Sequence, residues 1–414
     1  MIMNIQKFNG KRLKEALTFR EKKMTELADE TGISKQSLSL YANESNVPPY
    51  ENVLKIARVL NFPVEYFMSE DLCMATTGNT YFRSQASTTK KSRNAQKIKL
   101  EYVSKMYEVL LNYMNVPELN LPDTADIHIP ESVAEADSNQ AFEEIEKLAD
   151  RVRDCWNMGN GPIDNLQYTL QSNGIIVTGF SDVESGIDAF SQQITIGGKV
   201  VYIIALSIGS KPIERLRFDM AHELGHILMH TWGEDNEDIS KDEFNAREKQ
   251  ANMFASALLL PKKVFSRMVS AYPTNVDYYL TLKKKWKVSM QAMMYRTRQL
   301  GIISANQFQY MMRIMSKNGN RTHEPGDKPG KIGDTIFQAS LDMLFEGGYL
   351  TARDLLKEFG RYGIFLSQKD IENLMYLREG TLYQEDKVIP FISIKKARSE
   401  EHTSELQSRL HLVC

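Results

Sequence analysis

The sequence predicts a mainly α, multidomain protein with a small α+β unit at its centre, and three observations carry that expectation. The 414 residues exceed what one ordinary core accommodates, and hydrophobic and charged shares of 42% and 25% are those of a globular chain. Helical periodicity dominates, from a cluster of short helices at 8–68 to a helical C-terminal region at 333–396. Strand-like patterning is confined to 158–208, which reads as loop, helix and strand over 158–180 and then as a hairpin over 194–208 turning at Gly197-Gly198. The expected order is a five-helix N-terminal domain over 8–68, a linker over 69–93, a central domain with a small sheet over 94–275, a helical extension over 276–320, and the C-terminal helices.

In the N-terminal domain, Leu13, Leu17 and Leu27 supply the apolar positions, and Gly32 with Ile33 makes a turn. Ser34 is the expected cap of the helix KQSLSLYA, which ends near Asn43. Pro48 and Pro49 open another helix, with Val53, Leu54, Ile56, Ala57 and Leu60 at helical spacing. A short helix, a tight turn and a second helix form the arrangement that lays its second helix in the major groove of double-stranded DNA. The domain holds nine basic and eight acidic residues. Any electrostatic grip on an operator must therefore come from local placement, aided by a homodimer.

From Cys73 to Arg93 the chain turns polar and small and contains a KKSR run, the composition of a linker. A helix follows to Asn115, then an irregular stretch over 116–130, then a helix from Asn139 to Trp156 with one solvated and one buried face.

The most informative stretch is IERLRFDMAHELGHILMH, 213–230. His222 and His226, four apart on a helix, share a face and can present two imidazole nitrogens to one metal ion, and with Glu223 between them they have the His-Glu-x-x-His spacing that a zinc peptidase needs. Leu216, Met220, Leu224, Ile227 and Leu228 recur at helical spacing and anchor the segment in a core. The strand VVYIIAL leads into this helix, and a strand beside such a site can accept an extended substrate as an added strand. A catalytic zinc needs a third protein ligand. In ISKDEFNAREKQANMFASALLLP, Ser240 and Glu243 form a capping box, and Glu248 falls on the inward face between Phe244 and Ala251. His230, four residues after His226, is the competing ligand; with Glu248 favoured, it takes a supporting place beside the ligands.

Two resemblances sharpen these readings. TELADETGISKQSLSLYANESNVPPYENVLKIARVLNFPVEYF resembles the helix-turn-helix domain of the lambda-repressor-like (XRE) family. The resemblance implies that Lys35, Gln36 and Leu40 face base edges and that Ser37 and Asn43 lie near phosphates. Met24 stands where that family has a phosphate-contacting Gln, and Glu44 where it has Gly. FRS at 82–84, MGNGPI, RLRFDMAHELGHILMH and EKQANMFASALLLP together resemble the ImmA/IrrE family of zinc metallopeptidases in the form fused to such a domain. This implies a zincin-like central fold, Zn2+ held by His222, His226 and Glu248, and a catalytic Glu223. Asp219 departs from the family, which has a small residue or Thr there. The implied substrate is a partner regulatory protein in a phage, mobile-element or toxin-antitoxin setting. The leading alternative is a DNA-binding regulator whose zinc site senses or holds a partner without cleaving it; a third reading is a plain intracellular peptidase with a protein-docking N-terminal domain.

A net charge of −2 excludes a uniformly basic nucleic-acid binder. Cys73, Cys155 and Cys414 form neither a knuckle nor a disulfide framework, MIMNIQKFNG lacks the apolar core of a signal peptide, and the apolar run at 200–208 is too short to span a membrane. A cytoplasmic protein with no membrane partner is expected. RSEEHTSELQS near the end resembles a translated sequencing-adapter read, so 398–414 is taken as non-native and His402, His411 and Cys414 carry no functional weight. The stretch DYYLTLKKKWKVSMQAMMYRTRQLGII again has helix-turn-helix spacing and is expected to be scaffold under the central core, with Ser289 as a cap and His323 in a later loop.

Overall fold

Helix caps account for most of the N-terminal domain in the computed structural model, which describes residues 7–70, 72–82, 89–130, 132–136, 138–180, 188–209, 211–230, 232 and 239–383. Arg83, Ser84 and the proposed non-native tail lie outside these residues. Helices α1 (Gly10–Phe19), α2 (Met24–Thr31), α3 (Lys35–Ala42) and α4 (Tyr50–Leu60) follow one another. Asn9 caps α1 by accepting from Lys11 N and Arg12 N, and Ser34 caps α3 by accepting from Ser37 N. The expected fifth α-helix is instead a 3₁₀ helix, Val64–Met68. Pro63 and the extended Ser69 bound a run of five residues, too short to sustain α-helical bonding. Glu44 adopts a left-handed φ of 57°, and its Oε1 accepts from Gly10 N at 3.1 Å, placing a carboxylate at the N-terminus of α1. Gly10 admits no side chain, because a Cβ there would lie 2.6 Å from Tyr41 O.

The stretch read as a linker contains β1 (Thr76–Phe82), an antiparallel partner of a central strand. Its threonines and aromatics favour a pleated strand, while its scarcity of aliphatic residues hides one from a hydrophobicity pattern. Then come α5 (Lys90–Leu110), α6 (Asn139–Cys155), α7 (Leu166–Ser172), β2 (Ile175–Phe180), β3 (Ala189–Ile196) and β4 (Lys199–Ser207). The hairpin turns at Gly197-Gly198 as expected, but its first strand begins at Ala189 rather than Ile194. Beyond it run α8 (Ile213–Met229), α9 (Lys241–Leu259), α10 (Lys262–Val269), α11 (Val276–Trp286), α12 (Met290–Gln299), α13 (Ala305–Lys317), α14 (Ile336–Glu346), α15 (Ala352–Arg361) and α16 (Gln368–Met375).

The four strands form one sheet in the order β1-β3-β4-β2, with β2 parallel to β4 and the other pairs antiparallel. Alternation along the strands divides the interior in two. Ile175, Val177, Ala189, Ile204 and Leu206 face a core shared with Leu216, Met220 and Leu224 of α8 and Phe254 and Leu258 of α9. Trp286, Met293 and Met311 extend the same core, so α11–α13 pack beneath α8 and α9. Glu324 ties down the loop after α13, accepting from Met290 N at 2.7 Å and Lys283 Nζ at 3.0 Å; His323 beside it is exposed.

Ile176, Phe190, Ile194 and Ile203 on the opposite face join a second core with Val103 and Met106 of α5, Phe337 and Ile371 of the C-terminal helices, and the interior of the N-terminal domain. The N-terminal domain is therefore seated, not tethered. Arg12, 2% exposed, donates to Tyr102 Oη at 2.8 Å and to Gly363 O at 3.0 Å, and Tyr102 Oη donates to Tyr66 Oη at 3.0 Å. Burial pushes Tyr102 up to about 12 and Tyr66 well above its ordinary value, so both stay neutral hydroxyls. Arg20 grips both oxygens of Asp370 at 2.8 and 2.5 Å. On the far side of the C-terminal helices, Thr178 Oγ1 of β2 donates to Leu374 O at 3.1 Å. Among the described residues, no helix is long and apolar enough to cross a membrane.

Candidate metal centre and DNA-reading helix

Helix α8 opens after Pro212 and buries His222, Glu223 and His226. The four-residue spacing stacks the two imidazoles on one face with their Nε2 atoms 3.0 Å apart. Helix α9 is capped by Ser240 Oγ, which accepts from Glu243 N at 3.2 Å. Only that half of the expected capping box forms, because the Glu243 carboxylate pairs instead with Arg247 one turn on, at 2.5 Å. The two helices meet where a Cβ on Gly225 would lie 3.3 Å from Ala251 Cα and 3.0 Å from the Phe254 ring. This close approach brings Glu248, one turn before Ala251, across to the histidines. Its Oε1 lies 3.2 Å from His226 Nε2 and its Oε2 3.4 Å from His222 Nε2. One ligand atom from each residue falls within a common 4.8 Å.

The chemistry of this donor set fits a metal ion. Nitrogen and oxygen ligands about 2.05 Å from a tetrahedral zinc stand about 3.3 Å from one another, close to the spacings seen. The outer partners orient the rings. His222 Nδ1 lies 3.1 Å from Asn252 Oδ1, His226 Nδ1 lies 2.8 Å from His230 Nδ1, and His230 Nε2 lies 3.2 Å from Gln250 Oε1. Asn252 Oδ1 can only accept, which puts the His222 proton on Nδ1 and turns the Nε2 lone pair inward. His226 Nδ1–H donating to His230 makes the same assignment for the second ring. Two such lone pairs facing a carboxylate repel one another until a cation lies between them.

Burial pushes His230 well below the ordinary imidazole value, so it is a neutral acceptor beside the pair. Zinc content is expected to fall from about one per chain to near zero in Glu248→Ala, whereas His230→Ala keeps the metal with about 10- to 100-fold weaker affinity. Metal analysis after dialysis separates the two ligand assignments.

Glu223 is fully buried, and its Oε2 accepts from Ser191 Oγ of β3 at 2.7 Å. The sequence reading missed Ser191, since nothing in AFSQQITI marks it until the register turns it toward α8. Asp219, one turn before His222 and also fully buried, is held by Arg215 Nε at 3.4 Å and Lys211 Nζ at 3.5 Å. Its charge is thus compensated from the N-terminal side of α8 and away from the proposed ligands.

In the N-terminal domain, Leu38 and Tyr41 bury one side of α3, while Lys35, Gln36 and Asn43 are exposed and Leu40 is 40% exposed. Ser37 is half-buried, with its Oγ 2.8 Å from Ser34 Oγ. Met24 is half-buried and packs against the core.

The family model of the IrrE N-terminal-like domain, a peptidase family, matches residues 175–298, and that of a helix-turn-helix domain matches 10–70. The chain joins a helix-turn-helix domain to an IrrE N-terminal-like domain. The first span takes in α1 to the 3₁₀ helix and supports DNA binding. The second runs from β2 through α12 and includes His222, Glu223, His226 and Glu248. It leaves out β1, α5, α6 and the C-terminal helices, all of which pack with it or against its sheet. No curated protein matches the chain at a significant level.

Proposed function

We propose that the protein is a cytoplasmic transcriptional regulator that binds a double-stranded operator through α3 and uses a zinc centre at His222, His226 and Glu248 to cleave a partner regulatory protein. The observation that supports this most directly is the convergence of three ligand atoms within 4.8 Å beside the buried Glu223. The chemistry supplied by zinc at such a site is Lewis acidity, which acidifies water and polarises a peptide carbonyl. Glu223 takes the proton from the attacking water and passes it to the leaving amine, while Ser191 Oγ, 2.7 Å away, fixes the orientation of its carboxylate. Asn252 and His230 fix the ring tautomers, so the metal-facing nitrogens are preset. On the DNA side, Lys35 and Gln36 have the donors and acceptors for guanine and adenine edges, Leu40 suits a thymine methyl, and Ser37 and Asn43 lie within reach of phosphates.

Incubating the zinc-loaded chain with a co-expressed partner regulator tests the peptidase reading. Cleavage is expected to stop after chelation and to return on adding zinc; cleavage that persists in the chelated sample removes the reading. For the DNA-binding part, Lys35→Ala with Gln36→Ala is expected to weaken operator binding about 10- to 100-fold in a footprinting titration. An unaltered footprint shows that α3 is not the reader.

A further inference from the structure

The strand that touches the proposed base is β3, through Ser191, and β1 covers its outer edge. The register sets Phe82 opposite Phe190, Tyr81 opposite Ser191 and Thr80 opposite Gln192. An extended peptide reaching Glu223 needs main-chain partners, and the outer edge of β3, the strand whose Ser191 touches Glu223, offers such a row of N–H and C=O groups. Neighbouring strands run about 4.8 Å apart, so the backbone of Tyr81 lies one strand spacing from the residue that bonds Glu223. The other edge of the sheet, β2, lies beyond β4 and is bordered by the C-terminal helices at Thr178.

Several features let this end of β1 come away. The pairing loses register between Thr77 and Thr80, and such an irregularity serves as a hinge. Before the hinge the chain is pinned: Met74 N and Ala75 N donate to the Glu108 carboxylate at 3.1 and 2.8 Å, and Leu72 N donates to Tyr362 O at 3.4 Å. After it, the pairing continues through Thr80, Tyr81 and Phe82. Gly78 and Asn79 weaken the strand between. Because the 3₁₀ helix ending the N-terminal domain closes at Met68, the same short segment joins the DNA reader to the cleft.

We propose that β1 occupies the sheet edge that a protein substrate uses, so that residues 80–82 must leave β3 before an extended segment of that substrate can pair beside Glu223. This rests on the peptidase reading above, and it makes the chain's own strand the resident competitor of its substrate. The occupant is replaced by strand exchange, one set of main-chain hydrogen bonds substituting for another.

A reversible lock tests it in the full chain. Thr80→Cys with Gln192→Cys places two thiols on cross-strand partners, with Cys73, Cys155 and Cys414 changed to Ser. Cleavage of unfolded β-casein by the zinc-loaded protein is expected to fall at least about ten-fold on oxidation and to recover on reduction, because the closed strand can no longer open; equal rates in the two states overturn the proposal. Amide hydrogen exchange on the parent chain gives a second reading that needs no cleavage. Residues 80–82 are expected to exchange at least about 100-fold faster than β4, and equal protection overturns the proposal whether or not casein is cut. Rapid exchange at 80–82 with no cleavage by any form separates the two ideas: the strand opens, and the peptidase reading is the one that fails.

Discussion

Glu223→Gln is expected to lower the rate of substrate cleavage by about 10² to 10⁴ while leaving the zinc content at the parental level. Gln matches Glu in shape, and its carbonyl oxygen can still accept from Ser191 Oγ, which in the parent lies 2.7 Å from Oε2. What it loses is the ability to take a proton. The fully buried position also keeps bulk water from substituting for the missing base. Measuring kcat/KM together with metal content separates this from a structural effect: a loss of both indicates a damaged site, whereas an undiminished rate with zinc bound removes Glu223 from the role of base. Replacing the proposed ligands instead must strip the metal, so the two classes of variant differ in which quantity moves.

Arg12→Ala is expected to destabilise the protein by about 3 kcal/mol, through two buried acceptors left without their donor. Arg12 is 2% exposed and bridges α1 to Tyr102 of α5 and to Gly363 O after α15 at 2.8 and 3.0 Å. Removing it strands both acceptors in the interior. The loss falls on the seam between the N-terminal domain and its seat, so limited proteolysis is expected to release a fragment ending near residue 70 from Arg12→Ala well before it does so from the parent. Equal resistance to protease, or an unchanged denaturation midpoint, shows that the Phe19–Tyr102 contact and the Arg20–Asp370 pair hold the seam unaided.

Helices whose information is local were legible. Ser34, Ser240 and Ser289 each cap the helix expected of them, because a side-chain oxygen and a backbone N–H two or three residues on are enough to define the start. The approach of Glu248 to the histidines was also readable, since the periodicity of α9 put a carboxylate on an inward face that required a partner. Ser191 was not, because its link to Glu223 spans 32 residues and depends on strand register. The strand β1 was lost to its composition, as a row of Thr, Gly and Asn looks the same in a linker as on a sheet edge. Glu44 departs from the expected Gly for a reason visible only in three dimensions, its carboxylate binding Gly10 N from 34 residues away.

The sheet is a partition with apolar residues on both sides, and this bears on where the chain can be cut. A fragment comprising 175–298 would retain His222, Glu223, His226 and Glu248, yet it would bare Ile176, Phe190, Ile194 and Ile203, which α5 and the C-terminal helices cover in the whole molecule. Such an excised piece would collect in inclusion bodies on expression. The smallest soluble truncation therefore has to retain α14–α16, although they contribute none of the proposed metal ligands.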